Sequence, residues 1–159
     1  MVILNKNIIL TDYIKFDSKP DAVPYQYRLS YRVALTCLIL KLTCGRSGCS
    51  LAKLHLITIS MYSKKSMNSL ITYIKNKDTS FIILRFDPTV NKTIDFMLAD
   101  EFVLQQANGL FRLTEKGKSY TQTLIMNTTL LVEDKSFLNK LSTNLTEQVI
   151  NNISNSLMG

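Results

Sequence analysis

Residues 102–117 read FVLQQANGLFRLTEKG, and their pattern decides the fold. Phe102 to Gln106 is strand-like, and Ala107-Asn108-Gly109 is a turn. Asn-Gly is the strongest short hairpin signal because its tight turn needs positive φ. Leu110 to Leu113 is the return strand. Thr114 then caps a helix from Glu115 to about Met126, with Tyr120 and Leu124 on one side. A hairpin followed at once by a capped helix is the frame onto which the rest of the chain is read.

Upstream, Asp87-Pro88 opens a helix with Pro at its first position. Val90, Ile94, Met97 and Leu98 form its apolar stripe, which ends near Glu101. Phe81 to Phe86 reads as a short strand. Met67, Leu70, Ile71 and Ile74 sit at i, i+3, i+4 and i+7 of another helix, which Asn76 to Thr79 ends. Ser50 caps a helix over Leu51 to about Tyr62. Cys44-Gly45-Arg46-Ser47-Gly48 is a loop closing a long helix from Tyr25 to about Thr43. That helix is apolar on most sides, the mark of a buried central helix. Residues 1–24 read as irregular, with a short strand at Val2–Leu4 or Ile8–Leu10, and are closed by Pro20 and Pro24. Downstream, a short helix covers Lys135 to Leu141. A last one runs from Thr146, with Val149, Ile150, Ile153 and Leu157 on one face. The order helix, helix, helix, strand, helix, hairpin, helix is that of a winged-helix module. The expected class is mainly α (α+β): a winged-helix-like domain over 25–127 with a β-hairpin wing, and a C-terminal helical extension over 128–159.

At 159 residues the chain is the size of one domain and able to build a core without metal or disulfide support. Its 46% apolar and 19% charged content excludes wholesale disorder. No apolar run approaches the ~20 residues of a membrane span, and Met1 to Ile14 lacks a signal-peptide layout. The expectation is a soluble, cytoplasmic protein with reduced thiols. The Asn-x-Ser/Thr sites at Asn91, Asn127, Asn144 and Asn152 are then without consequence.

Net charge is +7, and its distribution is uneven. Between Arg28 and Lys77 lie nine basic residues and no acidic one; the remainder holds ten basic and twelve acidic. Such a field attracts a polyanion, nucleic acid first, or an acidic protein surface. Arg46, Lys53, Lys64 and Lys65 on the basic helices, with Arg112, Lys116 and Lys118 at the wing base, are the candidate contacts. Wings commonly track phosphates, which position without specifying; alternatively, Arg112 simply alternates outward on a half-buried strand. Val149, Ile153 and Leu157 are candidate anchors for a partner.

No catalytic constellation has convincing spacing. His55, the one histidine, would have to serve any triad, and it lies on the packed side of its helix. Cys44-x4-Cys49 with His55 is not a zinc pattern. Gly45-Arg46-Ser47-Gly48 lacks the Gly-Lys-Ser/Thr ending of a nucleotide loop. His55, Arg85 and Asp87 read as structural, with Asp87 capping the helix that Pro88 begins. The expectation is no enzyme, no cofactor and no metal.

Several segments together resemble one family. Leu51-Ala52-Lys53-Leu54-His55-Leu56 is similar to its "SLxKLHLL" helix, and Leu84-Arg85-Phe86-Asp87-Pro88-Thr89-Val90-Asn91 to its "IRFDPxLNRAL" turn. Leu98-Ala99-Asp100-Glu101-Phe102-Val103 is similar to "LAxxEGLV", with Phe102 where the pattern has Gly. Phe111-Arg112-Leu113-Thr114-Glu115-Lys116-Gly117 is similar to "YRLTxKG". Glu133 to Leu138 followed by Leu145-Thr146-Glu147 is similar to "EKxFLxxL…LTE". The family is the middle component of bacterial three-component ABC ATPase systems. It includes the small subunit of Lamassu-type complexes of antiviral and plasmid defence. The resemblance covers about Arg28 to Val149. It implies a non-catalytic adaptor bridging the heads of an ATPase similar to structural-maintenance-of-chromosomes (SMC) proteins to an effector, often a nuclease. Double-stranded DNA is a possible further partner, and no membrane is involved. A stand-alone winged-helix transcription regulator is the alternative. The helix Asn91 to Glu101, with Asp95, Asp100 and Glu101, speaks against that, since a major groove would repel it. An enzyme resting on His55 is a third reading.

Overall fold

The computed structural model describes residues 23–77 and 85–158. The described chain is mainly helical, with seven α-helices and one two-stranded antiparallel sheet. The expected strands at 2–4, 8–10 and most of 81–86 lie outside the described residues. Arg85 and Phe86 are described, and neither is in a strand.

The central helix is α1, Leu29–Thr43. It starts later than its apolar pattern suggests. Pro24 and Arg28 both hold extended backbone, and the residues between them make a single 3-10 turn, Tyr25–Tyr27. Every residue from Arg32 to Leu40 is buried, as the all-round apolar pattern requires. Helix α2 is Leu51–Ser60, with the Ser50 hydroxyl accepting the Lys53 N–H. Helix α3 is Lys64–Asn76, capped by Ser63 and stopped by Lys77 in the left-handed region. Helix α4, Pro88–Ala99, begins with Asp87 accepting the Thr89 N–H.

Strands β1, Val103–Gln105, and β2, Phe111–Leu113, pair with Val103 opposite Leu113 and Leu104 opposite Arg112. Val103, Phe111 and Leu113 point into the core, while Leu104 and Arg112 face out. Cys49 adds a single bridge on the free edge of β2, exchanging both backbone hydrogen bonds with Phe111 at 2.9 and 2.8 Å. Helix α5, Glu115–Met126, is capped by Thr114. It approaches the hairpin closely at Gly117, where a Cβ would stand 2.1 Å from the Phe102 carbonyl oxygen. Helix α6, Val132–Leu141, starts three residues before the expected Lys135, after Leu131 in the left-handed region. Helix α7 is Glu147–Met158.

One core joins all of this. Leu38, Ile39, Leu54, Ile57, Met97 and Phe111 share a cluster with Phe137, Leu138, Leu141, Leu145, Ile150 and Ile153. Residue 127 therefore separates segments of sequence and not separate cores. Glu147 ties the last helix to α2: its Oε1 accepts the Ser50 N–H at 3.0 Å. No described helix is long and apolar enough to cross a membrane.

Candidate polyanion-binding groove

The loop after α1 must turn back onto the edge of β2, and its glycines make this possible. Gly45 and Gly48 both hold positive φ, +57° and +95°. A Cβ on Gly48 would meet the Phe111 carbonyl oxygen at 2.9 Å and Arg112 Cγ at 3.1 Å. This close approach sets Arg46 beside Arg112. Lys41, from the last turn of α1, and Lys118, from the first turn of α5, complete the surround. These four cations line a groove of about 470 Å³ whose floor includes Leu40, Phe111 and Leu113. No carboxylate lines it.

Arg112 is held rather than loose. With its amide oxygen turned toward the donor, Gln106 accepts from Arg112 Nε at 3.3 Å and donates to the Ser47 carbonyl at 3.1 Å. That link joins the hairpin turn to the loop carrying Arg46. Lys118 also contacts Glu115 at 2.6 Å. Glu115 is highly exposed, and such pairs between exposed groups are weak. Of the contacts expected from sequence, the structure thus brings together Arg46, Arg112 and Lys118. It adds Lys41, which belonged to the basic stretch without being singled out.

The other expected cations lie elsewhere. Lys53 is buried, 3% exposed, with Nζ donating to the Thr43 carbonyl at 2.7 Å; it is not a surface contact. Its aliphatic neighbours in α2 gave no sign of this, because Lys-Leu-His-Leu reads equally well with Lys facing out. Lys116 is paired with Asp100 at 3.1 Å and sits over the Phe102 ring at 4.7 Å. Lys64 and Lys65 are exposed on α3, away from the groove, with Lys64 3.9 Å from Glu133. The acid-free run from Arg28 to Lys77 is therefore partly compensated in space.

The expected partner anchors turn inward. Ile153 is fully buried and Val149 packs against the core. The α7 stripe is closed by this chain itself, so Val149 and Ile153 are not a free docking face. The Leu157 side chain lies outside the described residues.

His55 sits where α2, α4 and the turn before α4 meet. Its Nδ1 accepts the Asp87 backbone N–H at 3.1 Å, so Nε2 carries the proton and donates to Asn91 Oδ1 at 2.9 Å. Burial pulls its pKa below the ordinary value, only partly offset by Asn91 and Asp87. The imidazole is thus a neutral structural bridge. Burial pushes the Asp87 carboxyl up. Hydrogen bonds from Tyr62 and Thr89, with the Arg32 charge, outweigh burial and hold it below the usual range. Arg32, 4% exposed, lies 3.5 Å from Asp87 and also donates to Tyr62. Arg32 therefore does the work expected of Arg85, which is exposed. The Arg32–Tyr62–Asp87 group was invisible in sequence because its members are 25 to 55 positions apart. Among the described residues no three His, Cys, Asp or Glu side chains converge as metal ligands.

The groove defines a class of surface, a concave basic patch at the junction of a loop and a hairpin. No family model, curated protein or solved structure matches the chain.

Proposed function

We propose that this chain is a non-catalytic winged-helix adaptor that lays the groove of Lys41, Arg46, Arg112 and Lys118 on nucleic-acid phosphates. The order α1, Cys49 bridge, α2, α4, hairpin resembles that of a winged helix and supports the reading, with α3 taken as an insertion between the second and third helices and the hairpin as the wing. The observation that carries the reading is the groove: four cations from separate elements, no lining carboxylate, and an Arg112 held in place by Gln106. Phosphate contacts of this kind fix register without reading bases. The exposed face of α4 offers Asp95 and Phe96 beside Lys92, which disfavours base reading in a major groove and so the stand-alone regulator. The sequence resemblance supports the remainder of the proposal. The adaptor would join the heads of an SMC-like ABC ATPase to an effector, a nuclease in many such systems, in cytoplasmic antiviral and plasmid defence.

Titration of a fluorescent 30-base-pair duplex of arbitrary sequence tests the contact. Four neutralised phosphates give a log–log salt slope of about −3.6. Arg46→Glu with Arg112→Glu is expected to weaken binding at least about tenfold and roughly halve that slope. Lys64→Glu with Lys65→Glu is expected to leave both nearly unchanged. Equal loss from the α3 pair would move the contact off the groove. Absence of binding at low salt would remove DNA as the ligand.

A further inference from the structure

Beside the Arg32–Tyr62–Asp87 group lies a similar set that lacks its cation. In the complete set the Arg32 guanidinium stands 5.8 Å from the Tyr27 ring centre and 5.3 Å from that of Tyr62. Its charge meets Asp87 at 3.5 Å, and the Tyr62 hydroxyl donates to the same carboxylate at 2.5 Å. In the second set Tyr25 and Tyr31 meet edge to face, with ring centres 5.1 Å apart. The Tyr31 hydroxyl donates to Asp134 Oδ1 at 3.4 Å. Among the described residues no guanidinium or ammonium pairs with Asp134. Lys135, the next residue, gives its ammonium to the Asn127 carbonyl at 2.5 Å instead. Burial pushes the Asp134 carboxyl up, the Tyr31 hydrogen bond opposes this, and the Glu133 charge adds to the rise.

Tyr25, Tyr31, Arg32, Tyr62 and Asp134 line one cavity of about 450 Å³, to which Leu35, Met61 and Met67 add apolar surface. Its two remaining charged lining residues, Lys64 and Glu133, face each other at 3.9 Å. Arg32 is matched by Asp87, so Asp134 is the charge left over. A half-buried carboxylate without a cation is costly, and tyrosine rings attract a cation placed against them. A guanidinium meets both demands better than an ammonium: it is planar, weakly hydrated, and forks onto a carboxylate. The lining residues Tyr25 and Val132 remain 60% and 55% exposed, which gives the cavity an apolar rim suited to a protein surface rather than to a free ion.

We propose that this cavity is a docking site for an arginine side chain of a protein partner, with the guanidinium on the Tyr25–Tyr31 pair and forked onto Asp134, and apolar neighbours of that arginine covering Tyr25 and Val132. Arginine and tyrosine are frequent anchors of protein interfaces. Lys41 of the basic groove lies nine residues beyond Arg32 on α1, about 13 Å along the helix. The two sites can therefore be filled together, and the docking site does not depend on what the groove binds.

The test titrates the full, isotope-labelled chain with N-acetyl-arginine methylamide and follows the amide signals by NMR. A lone side chain is expected to bind with a dissociation constant of about 1–10 mM, with shifts around Tyr25, Tyr31 and Asp134 and none around Arg46 and Arg112. Blocked citrulline, the neutral isostere, is expected to bind at least about tenfold more weakly, and blocked lysine at least about threefold. A blocked Leu-Arg-Leu tripeptide is expected to bind at least about threefold more tightly than blocked arginine, through the apolar rim. Asp134→Asn, which keeps an acceptor for Tyr31, and Tyr25→Ala, at an exposed position, are each expected to weaken binding at least about fivefold. Arg46→Glu with Arg112→Glu is expected to leave it unchanged. No saturable shift up to about 100 mM, equal binding of citrulline, or tighter binding of inorganic phosphate would overturn the proposal. Equal affinity for arginine and the tripeptide would remove the protein partner. Self-association that blocked arginine reverses would make the occupant an arginine of a second copy and overturn the partner reading.

Discussion

His55 shows how much one neutral side chain can organise. Its two nitrogens face opposite demands: Nδ1 must accept from Asp87 and Nε2 must donate to Asn91. A second proton would turn Nδ1 into a donor aimed at another donor. Because burial holds the folded pKa below the ordinary histidine value, the unfolded chain binds the proton more readily. The stability this contributes is complete above the unfolded value and is lost as pH falls through it toward the folded one. Thermal unfolding between pH 7.5 and 5 should show a falling midpoint for the wild type. His55→Gln, less stable at pH 7.5, should lose that part of the acid dependence. An identical slope in both would mean that other groups set it. Lys53 teaches the complementary lesson. Its position in α2 was legible, and its direction was not, since a lysine between Ala52 and Leu54 gives no hint that the Thr43 carbonyl awaits it.

At the scale of elements, local chemistry was well legible. Ser50, Ser63, Asp87 and Thr114 cap α2, α3, α4 and α5 with their side chains, and three of those caps follow directly from residue type. The α5 limits were read to the residue because a cap and the apolar spacing agreed there. Element boundaries shifted where backbone conformation overruled pattern, as at Arg28 and Leu131. The partner of a face was not legible: the α7 stripe looks the same whether it meets another protein or its own body. The structure makes α7 part of the core, and this has a measurable consequence. Ile153→Ala should cost about 2–5 kcal/mol, the range for emptying a fully buried aliphatic site. Val149→Ala, at a half-buried position, should cost clearly less. Chemical denaturation of both variants checks the ranking, and equal small losses would mean that α7 is only loosely seated.

For the whole molecule, charge placement separates sequence from space. A run of fifty residues without an acid suggested a single positive face. In the fold, Asp87 is drawn to Arg32 and Glu133 to Lys64, while Lys53 is buried. What remains is narrower and better defined, a groove beside the hairpin. If the adaptor reading holds, the tagged chain expressed at native level should bring down a large coiled-coil ATPase together with a second, effector protein. Recovery of the chain alone, bound tightly to one short DNA site, would favour the regulator instead. The hydrogen bond from Ser50 to Glu147 spans 97 positions, and the buried Ile153 belongs to the same closure. During synthesis on the ribosome, α2 is therefore without its final cover until the α7 segment has emerged from the exit tunnel. The interior is therefore sealed only when α7 docks, and every residue of α2 is in place well before that.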